Sequence, residues 1–417
     1  MKQYKIIVVG GGPAGIMAAI RASQLTECVA LFEKNASLAR KLGITGKGRC
    51  NITNDCSLEE FLAHFEKKGL FLRDAFKHFF VKELFDFFKQ RGCPLKTERQ
   101  SRVFPESDKA ESVLEVLDKA LKEGSVAIHL NSSLQNIIIK DNKITGIRTF
   151  NDEEFSVSRL ILATGGVSYP ETGSTGDGLR LAQWLGHRIE DLYPGLVPLE
   201  TKESFVRGLA GLTLKNVRLI FYKEAQTMTT DVGEMLFTHF GISGPLVLDH
   251  SLFLSKHIQG KKELKMAIDL KPGLKTDQLD ARLQRDFQAQ GNLMIRNYLG
   301  DLVPKKLAEV FLTVASVPAD KRCHQITNQE RRKIVSILKA FPLTLMRTRP
   351  LSEAMVTGGG VSLKDVNPKT MESKKIGGLY FCGEMLDLAA SSGGFNLQAA
   401  FSTGYLAGDS AAKSLTS

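Results

Sequence analysis

The feature that most restricts this chain is a glycine turn near its start. An apolar run, Tyr4–Val9, leads directly into Gly10-Gly11-Gly12-Pro13-Ala14-Gly15, which has the pattern G-x-G-x-x-G. A second apolar run, Cys28–Phe32, ends in Glu33. Together they predict a parallel strand, a helix from Pro13 to about Leu25, and a second parallel strand. Gly10 allows the tight turn, Gly12 lets backbone approach a pyrophosphate, and Gly15 lets helix and strand touch. Pro13 and Ala14 open a helix whose N-terminus carries partial positive charge and favours phosphate. Glu33 stands where an acid accepts a hydrogen bond from a ribose 2′-hydroxyl. The glycines alone are a weak signal. With the strand, the helix and the acid in place they specify a dinucleotide site.

A chain of 417 residues has room for two or three domains. Its longest apolar stretches, such as Ile6–Val9 and Leu160–Ala163, are far too short to span a membrane. No signal-peptide pattern precedes the glycine turn, so a cytoplasmic protein without membrane partners is expected. Six cysteines with no C-x-x-C pair argue against a disulfide framework and against a structural metal such as zinc. The net charge of +11 is unevenly placed: Lys256–Arg349 holds 19 Lys and Arg against 9 Asp and Glu, and the remainder holds 37 against 36. Such a segment suits a polyanion such as structured RNA, or serves as an ordinary solvated helical surface.

Along the chain, Asn35–Asp55 reads as a loop rich in Gly, Lys and Arg. Leu58–Arg91 is helical in pattern and rich in Phe, with Phe61/Phe65, Phe76/Phe80 and Leu84/Phe88 one turn apart. That stripe is either a core face or, with Lys77 and Lys82, an aromatic surface for bases; helical spacing favours the core. Ala110–Glu123 and Asp177–Leu185 read as helices. Val126–Leu130, Leu134–Lys140, Lys143–Phe150, Phe155–Ser158 and Arg159–Ala163 read as strands. After Asp191 the texture becomes β-rich, with strands at Leu196–Leu199, Leu214–Phe221, Thr227–Thr229 and Leu264–Leu270. From Pro272 to Ala340 it is helical, with a capping box at Thr327–Glu330. Phe341–Arg349 is extended again, so the helices read as an insertion. Gly377–Glu384 is a last strand ending in an acid, and Gly393–Asn396 opens a closing helix.

Three elements then line up: the glycine turn with Glu33, the strand end Ala163-Thr164-Gly165, and Gly378-Leu379-Tyr380-Phe381-Cys382-Gly383-Glu384. The set resembles FAD enzymes of the glutathione-reductase-like superfamily. A closer likeness lies in Gly46-Lys47-Gly48-Arg49-Cys50-Asn51-Ile52-Thr53-Asn54, in Gly173-Ser174-Thr175-Gly176-Asp177-Gly178, in Phe237–Pro245 and in Thr357-Gly358-Gly359-Gly360-Val361. These are similar to a bacterial family of NAD(P)/FAD-dependent oxidoreductases that includes aminoacetone oxidases, a bile-acid ene-reductase and a ribosomal RNA dihydrouridine synthase. The resemblance covers almost the whole chain. It implies an α/β fold with a Rossmann-like FAD-binding domain from residues 1–192 and 355–417. It also implies a β-barrel-like domain from 193–270 and 341–354, with a helical insert at 271–340. It further implies that Glu384 holds the ribityl chain, that Leu134 contacts adenine through its backbone, and that Asn396 and Leu397 sit near the flavin pyrimidine. Glu384 stands where the wider superfamily has Asp.

Further cofactor contacts are expected from Lys34, Arg40 and Lys41, the last two toward the pyrophosphate or adenosine. Gly46, Gly48, Arg49, Cys50 and Asn51 lie in a loop able to run flat against the cofactor. Cys50 is a candidate catalytic acid, or an inert buried thiol. His239, in a Gly/Ser/Pro-rich loop, is a candidate acid or substrate contact, or a structural residue. No second G-x-G-x-x-G follows a strand, so NAD(P)H would dock transiently or electrons would come from the substrate. Three functions compete: a reductase giving hydride from reduced FAD to an activated C=C, most concretely uridine in ribosomal RNA; an oxidase or dehydrogenase of a small amine or steroid; and a flavin-bearing binding protein.

Overall fold

The computed structural model describes residues 2–223, 226–258 and 263–416. It divides into two units, Met1–Gly195 with Pro350–Ser417, and Leu196–Arg349. The basic residues Lys261 and Lys262 lie outside the described residues.

In the first unit the strand Lys2–Val9 runs parallel to Val29–Phe32 on one side and to Glu154–Leu162 on the other. Ala127–His129 extends the sheet beyond Val29–Phe32. The mixed α/β arrangement is the Rossmann-type one, with Val9 and Phe32 in register just before the turn and the acid. The two runs Phe155–Ser158 and Arg159–Ala163 form one strand, Glu154–Leu162, rather than two. Its first half pairs antiparallel with Lys143–Thr149, and its second half pairs parallel with Leu379–Phe381. The change of neighbour midway along one edge is why the sequence pattern breaks there.

The glycine-turn helix, Pro13–Ser23, buries eight of its eleven residues. One face meets the closing helix, Phe395–Lys413, without intervening side chains. A methyl on Gly404 would lie 2.1 Å from the Ala14 carbonyl oxygen, and one on Gly408 2.3 Å from that of Ala18. Arg21 joins the same helix pair by donating to Asp409 at 2.7 Å.

Leu58–Arg91 is not one continuous helix. It consists of Leu58–Ala63, a 3-10 segment Glu66–Leu72, Arg73–His78 and Val81–Gln90. Glu66 takes a left-handed φ of 54° and Phe80 an extended conformation, and each breaks the i→i−4 ladder. Phe61, Phe65, Phe76 and Phe88 are buried. Their rings pack edge to face, Phe61 against Phe76 at 5.2 Å and against Phe395 at 4.8 Å. An aromatic surface for bases is thereby excluded for this stripe.

The second unit is a closed ring of strands. Thr213–Lys223 pairs with Gly233–Phe237, which pairs with Gly241–Ser243; the path continues through Leu199–Thr201, Phe341–Thr348 and Leu264–Asp269. Leu264–Asp269 then pairs back onto Thr213–Lys223, which closes the barrel. Gln226–Thr229 hangs on the outside as a hairpin arm. The first barrel strand begins at Leu199 rather than Leu196, because Leu196 itself takes a left-handed φ of 52°. A helix absent from the sequence expectation, Pro245–Ile258, follows Gly241–Ser243. Four helices, Thr276–Ala289, Ile295–Leu302, Lys305–Ala315 and Asn328–Lys339, fill the connection between two neighbouring barrel strands. The last of them starts with the expected capping box, Thr327 and Glu330 each satisfying the other's backbone N–H.

Candidate cofactor site

Packing dictates two of the fingerprint glycines. Gly10 takes φ +110°, and a methyl there would lie 2.4 Å from the Ala163 carbonyl oxygen. A methyl on Gly15 would lie 1.9 Å from the carbonyl oxygen of Gly10. Gly12 differs: a methyl there would meet nothing within 4 Å. Among the described residues no contact requires glycine at this point, which leaves the space above it open to a ligand. Gly12 is the N-cap of Pro13–Ser23 and no side chain caps that end. The first-turn N–H groups and the helix dipole are therefore presented to a ligand, and an anion is the complement.

Glu33 is 9% exposed. Its Oε2 accepts from Gly11 N–H at 2.7 Å; its Oε1 accepts from the backbone N–H and the Nδ2 of Asn35 at 2.9 and 2.7 Å. A carboxylate has about four lone-pair directions, so one on Oε2 is left for a hydroxyl donor. The adjoining residues brace this acid. Lys34 donates to Thr175 Oγ1 at 2.6 Å and to Asp177 at 2.8 Å, which ties it to the Gly173–Gly178 loop. Asn35 Nδ2 also reaches Thr172 O at 3.1 Å. Arg40 is exposed and donates to Asn35 Oδ1 at 3.0 Å. Leu134 begins a strand two residues past Ser132, whose N–H donates to Glu33 O at 2.9 Å.

A second cluster gathers round Glu384. Its Oε1 accepts from Thr357 N–H at 2.6 Å and from Ser168 Oγ at 3.0 Å, and its Oε2 from Lys41 Nζ at 2.9 Å. Lys41 also donates to Ser168 Oγ at 2.7 Å. Thr357 Oγ1 accepts from the N–H groups of Val167 and Ser168. Thr357 thus links the loop after Ala163-Thr164-Gly165 to the acid. Ala163 N–H donates to Val9 O at 2.8 Å, Thr164 Oγ1 contacts Met385 Sδ at 2.9 Å, and Gly383 N–H donates to Thr403 Oγ1 at 3.0 Å. A methyl on Gly165 would come within 4.0 Å of Glu384 Oε2, and one on Gly383 would lie 2.6 Å from the Ala14 methyl. The strand end, the acid and the glycine-turn helix therefore meet.

The Gly46–Asn54 loop is fastened to the start of the closing helix. Thr53 Oγ1 donates to Gln398 Oε1 at 2.7 Å, and Asn54 Nδ2 donates to Gly393 O at 3.1 Å. With its amide oriented by its neighbours, Asn51 donates to Val103 O and Thr53 O and accepts from Gly394 N–H at 3.2 Å. Gly394, the N-cap at φ 97°, has no room for a side chain because a methyl would lie 2.3 Å from Thr53 O. Asn396 closes the preceding loop by donating to Ala390 O and accepting from Ala390 N–H, both at 2.9 Å. Leu397 is partly buried against the core. Sequence reasoning missed Thr357, Ser168, Asn35 and Gln398. They sit in or beside the quoted motifs, but their partners are distant in sequence.

The other candidates are Arg49, Cys50 and His239. Arg49 is held by Glu98 at 2.6 Å and by Asp108, and its guanidinium lies 4.1 Å over the Phe104 ring. The two carboxylates raise its pKa further, so it is an engaged cation. Cys50 has no exposed surface, and burial pushes its thiol up to about 12. A side chain covered wholly by protein atoms offers nothing for a substrate to touch. His239 is exposed on the turn between Gly233–Phe237 and Gly241–Ser243, edge-on to Phe240 at 4.8 Å.

Both halves of the nucleotide site fit an FAD: an uncapped helix end under an open glycine, a braced acid for a ribose, and a second acid joined to a lysine. Residues 4–410 match the family described as HI0933-like protein Rossmann domain. The chain is 31% identical over 411 residues to a 3-dehydro-bile acid delta(4,6)-reductase of Clostridium scindens, covering 98% of this chain and 99% of that one. It is 29% identical over 416 residues to a ribosomal RNA dihydrouridine synthase of Haemophilus influenzae, covering 97% and 98%. The fold is also that of a 3-ketosteroid delta1-dehydrogenase from Sterolibacterium denitrificans, with a TM-score of 0.55 at 15% identity, covering 99% of this chain and 100% of that one. No described helix is long and apolar enough to cross a membrane. An FAD-dependent oxidoreductase by its site and its relatives, the chain belongs to the HI0933-like Rossmann family.

Proposed function

We propose that this enzyme reduces a carbon–carbon double bond conjugated to a carbonyl. One observation carries the reading: the two relatives aligned over nearly their whole length are both named for saturating such a bond, in a bile acid and in uridine. FAD, when bound, supplies the hydride for the electrophilic carbon. The protein's own part is positioning. Glu33 and the glycine turn hold the adenosine and pyrophosphate end. Glu384, fixed by Thr357, Ser168 and Lys41, addresses the ribityl chain. Asn51, Thr53 and Asn54 hold the start of the closing helix in place, so that its positive end stabilises negative charge on the flavin ring. Cys50 is assigned to packing. His239, whose ring is exposed on its turn in the second unit, is kept as a candidate proton donor or carbonyl contact.

For the substrate we favour uridine in structured RNA. Lys305 and Lys333 in the insert are exposed, with no carboxylate partner among the described residues, and Arg332 is exposed beside the Arg331–Asp280 pair, where it helps hold Asp280 ionised. Arg331, by contrast, is committed to Asp280 at 2.9 Å, and Lys306 donates to Ala210 O. Exposed cations on one helical insert suit a phosphate backbone. The test is anaerobic: protein carrying reduced FAD is mixed with ribosomal RNA fragments or with a steroid enone. Flavin reoxidation and product mass are then followed. Dihydrouridine formation that weakens with salt, and on charge reversal of Lys305, Arg332 and Lys333, supports the RNA reading. Enone reduction alone moves the substrate to small molecules. Flavin that stays reduced with neither alkene consumed, and is reoxidised only once dioxygen is admitted, sinks the reductase reading.

A further inference from the structure

Beside the Gly46–Asn54 loop, within the same unit, lies a cavity of about 490 Å³ lined by Arg49, Glu98, Arg99, Gln100, Arg102 and Phe104. Small-molecule sites typically run from about 300 to 1,000 Å³. The charges of the lining do not cancel. Arg49 and Lys96 are matched by Glu98 and Asp108, with Lys96 at 2.7 Å from Asp108. These ion pairs hold both carboxyls below their usual range. Arg99 and Arg102 have no carboxylate partner among the described residues, and they flank a tight turn in which Gln100 and Ser101 take left-handed φ of 60° and 55°. The turn is tied to the segment just ahead of the closing helix. Asn54 Nδ2 donates to Gln100 O at 3.0 Å, and the same nitrogen donates to Gly393 O just ahead of the closing helix.

We propose that Arg99 and Arg102 bind the 2′-phosphate of NADPH, which docks here as the electron donor. The proposal rests on the reductase reading, because saturating an alkene requires two electrons from outside. Among the described residues there is one Rossmann-type sheet, and FAD accounts for it. A nicotinamide donor must therefore be held by side chains. A phosphomonoester carries a charge near −2 at neutral pH, which two guanidinium groups match. The planar fork of arginine suits its oxygens, and arginine is the residue that receives the 2′-phosphate in NADP-specific folds. The cavity suits the adenosine 2′-phosphate end of the donor. The electrons balance: the C4–H bond of the dihydronicotinamide breaks, NADP⁺ leaves, and one hydride plus one proton from solvent saturate the alkene.

The test uses the FAD-loaded protein. 2′,5′-ADP is titrated by calorimetry into the wild type and into Arg99→Ala, Arg102→Ala and the double variant. Each single change weakens binding tenfold or more, whereas 5′-ADP, which lacks the 2′-phosphate, distinguishes none of them. In stopped flow, the NADPH concentration for half-maximal flavin reduction rises by the same factor and the limiting rate holds. Arg99→Lys and Arg102→Lys lose less, and they carry the test if an alanine variant fails to retain FAD. Dithionite-reduced variants still reduce the alkene at the wild-type rate, which separates this proposal from failure of the reductase reading. Equal 2′,5′-ADP binding by the wild type and the double variant overturns it. So does a loss confined to the alkene half-reaction, which would give the cavity to an anion of the substrate.

Discussion

Replacing Gly404 with alanine places one methyl 2.1 Å from the Ala14 carbonyl oxygen. Real Cβ atoms essentially never approach closer than 3.0 Å, so the helices must part by about 1 Å. Tilting gives no relief, because Gly408 sits one turn on against the Ala18 carbonyl. Both sides of the contact are backbone, so the overlap falls at the upper end of overpacking costs, about 3 kcal/mol. Alanine returns about 1 kcal/mol of helix propensity. The net is about 2 kcal/mol, or roughly thirtyfold in any equilibrium that needs the helices in contact. FAD binding is one on the proposed reading, since Ala14 lies in the glycine turn and the closing helix is proposed to point its start at the flavin. Flavin fluorescence titration of the apoprotein is expected to give a dissociation constant at least tenfold higher, with a lower Tm. Gly273→Ala is the control, because its methyl would meet nothing within 4 Å. If Gly404→Ala binds FAD and melts as the wild type does, the backbone contact does not position the site.

Glu33→Ala removes a charged acceptor from the ribose and leaves Gly11 N–H and Asn35 without their partner; FAD affinity should fall by about 1.5–3 kcal/mol, measured by the same titration. Cys50→Ala should leave turnover within twofold, and thiol labelling of the native protein should begin at the exposed Cys28 while the buried Cys50 and Cys382 stay unmodified; a tenfold loss of turnover would return Cys50 to the chemistry. His187 is 2% exposed, and burial lowers its pKa from 6.5, an effect that Lys375 adds to and that Asp365 and the Ala182 carbonyl oppose. A depressed folded pKa contributes stability that is full above pH 6.5 and is lost as pH falls through that value toward the folded one. Tm measured from pH 7.5 to 5 should therefore fall less steeply for His187→Gln than for the wild type, and parallel curves would refute the assignment.

Local signals carried most of the cofactor fold. The glycine turn, the buried runs around it and the acid at Glu33 all lie within about thirty residues, where strand period and turn chemistry are legible. The barrel was harder. Gly233–Phe237 and Gly241–Ser243 are short and interrupted by glycine, and Pro245–Ile258 is an apolar run whose period does not separate helix from strand. The jobs of the Gly46–Asn54 residues were not legible, because Thr53 meets Gln398 and Asn54 meets Gly393 across more than 300 residues of chain. The stretch Leu58–Arg91 showed its buried face, but a left-handed residue such as Glu66 leaves no mark in an apolar pattern.

The double partnership of Glu154–Leu162 also sets an order of assembly. Its first half finds Lys143–Thr149 as soon as both have been translated. Its second half waits for Leu379–Phe381, and the glycine-turn helix waits for Phe395–Lys413. On the ribosome, the whole barrel with its helical insert emerges before those last pieces. The nascent nucleotide fold therefore stays unfinished through more than half of synthesis, with one sheet edge and one helix face uncovered. FAD capture belongs to the end of that sequence, and a chaperone that shields the early half would act during the interval.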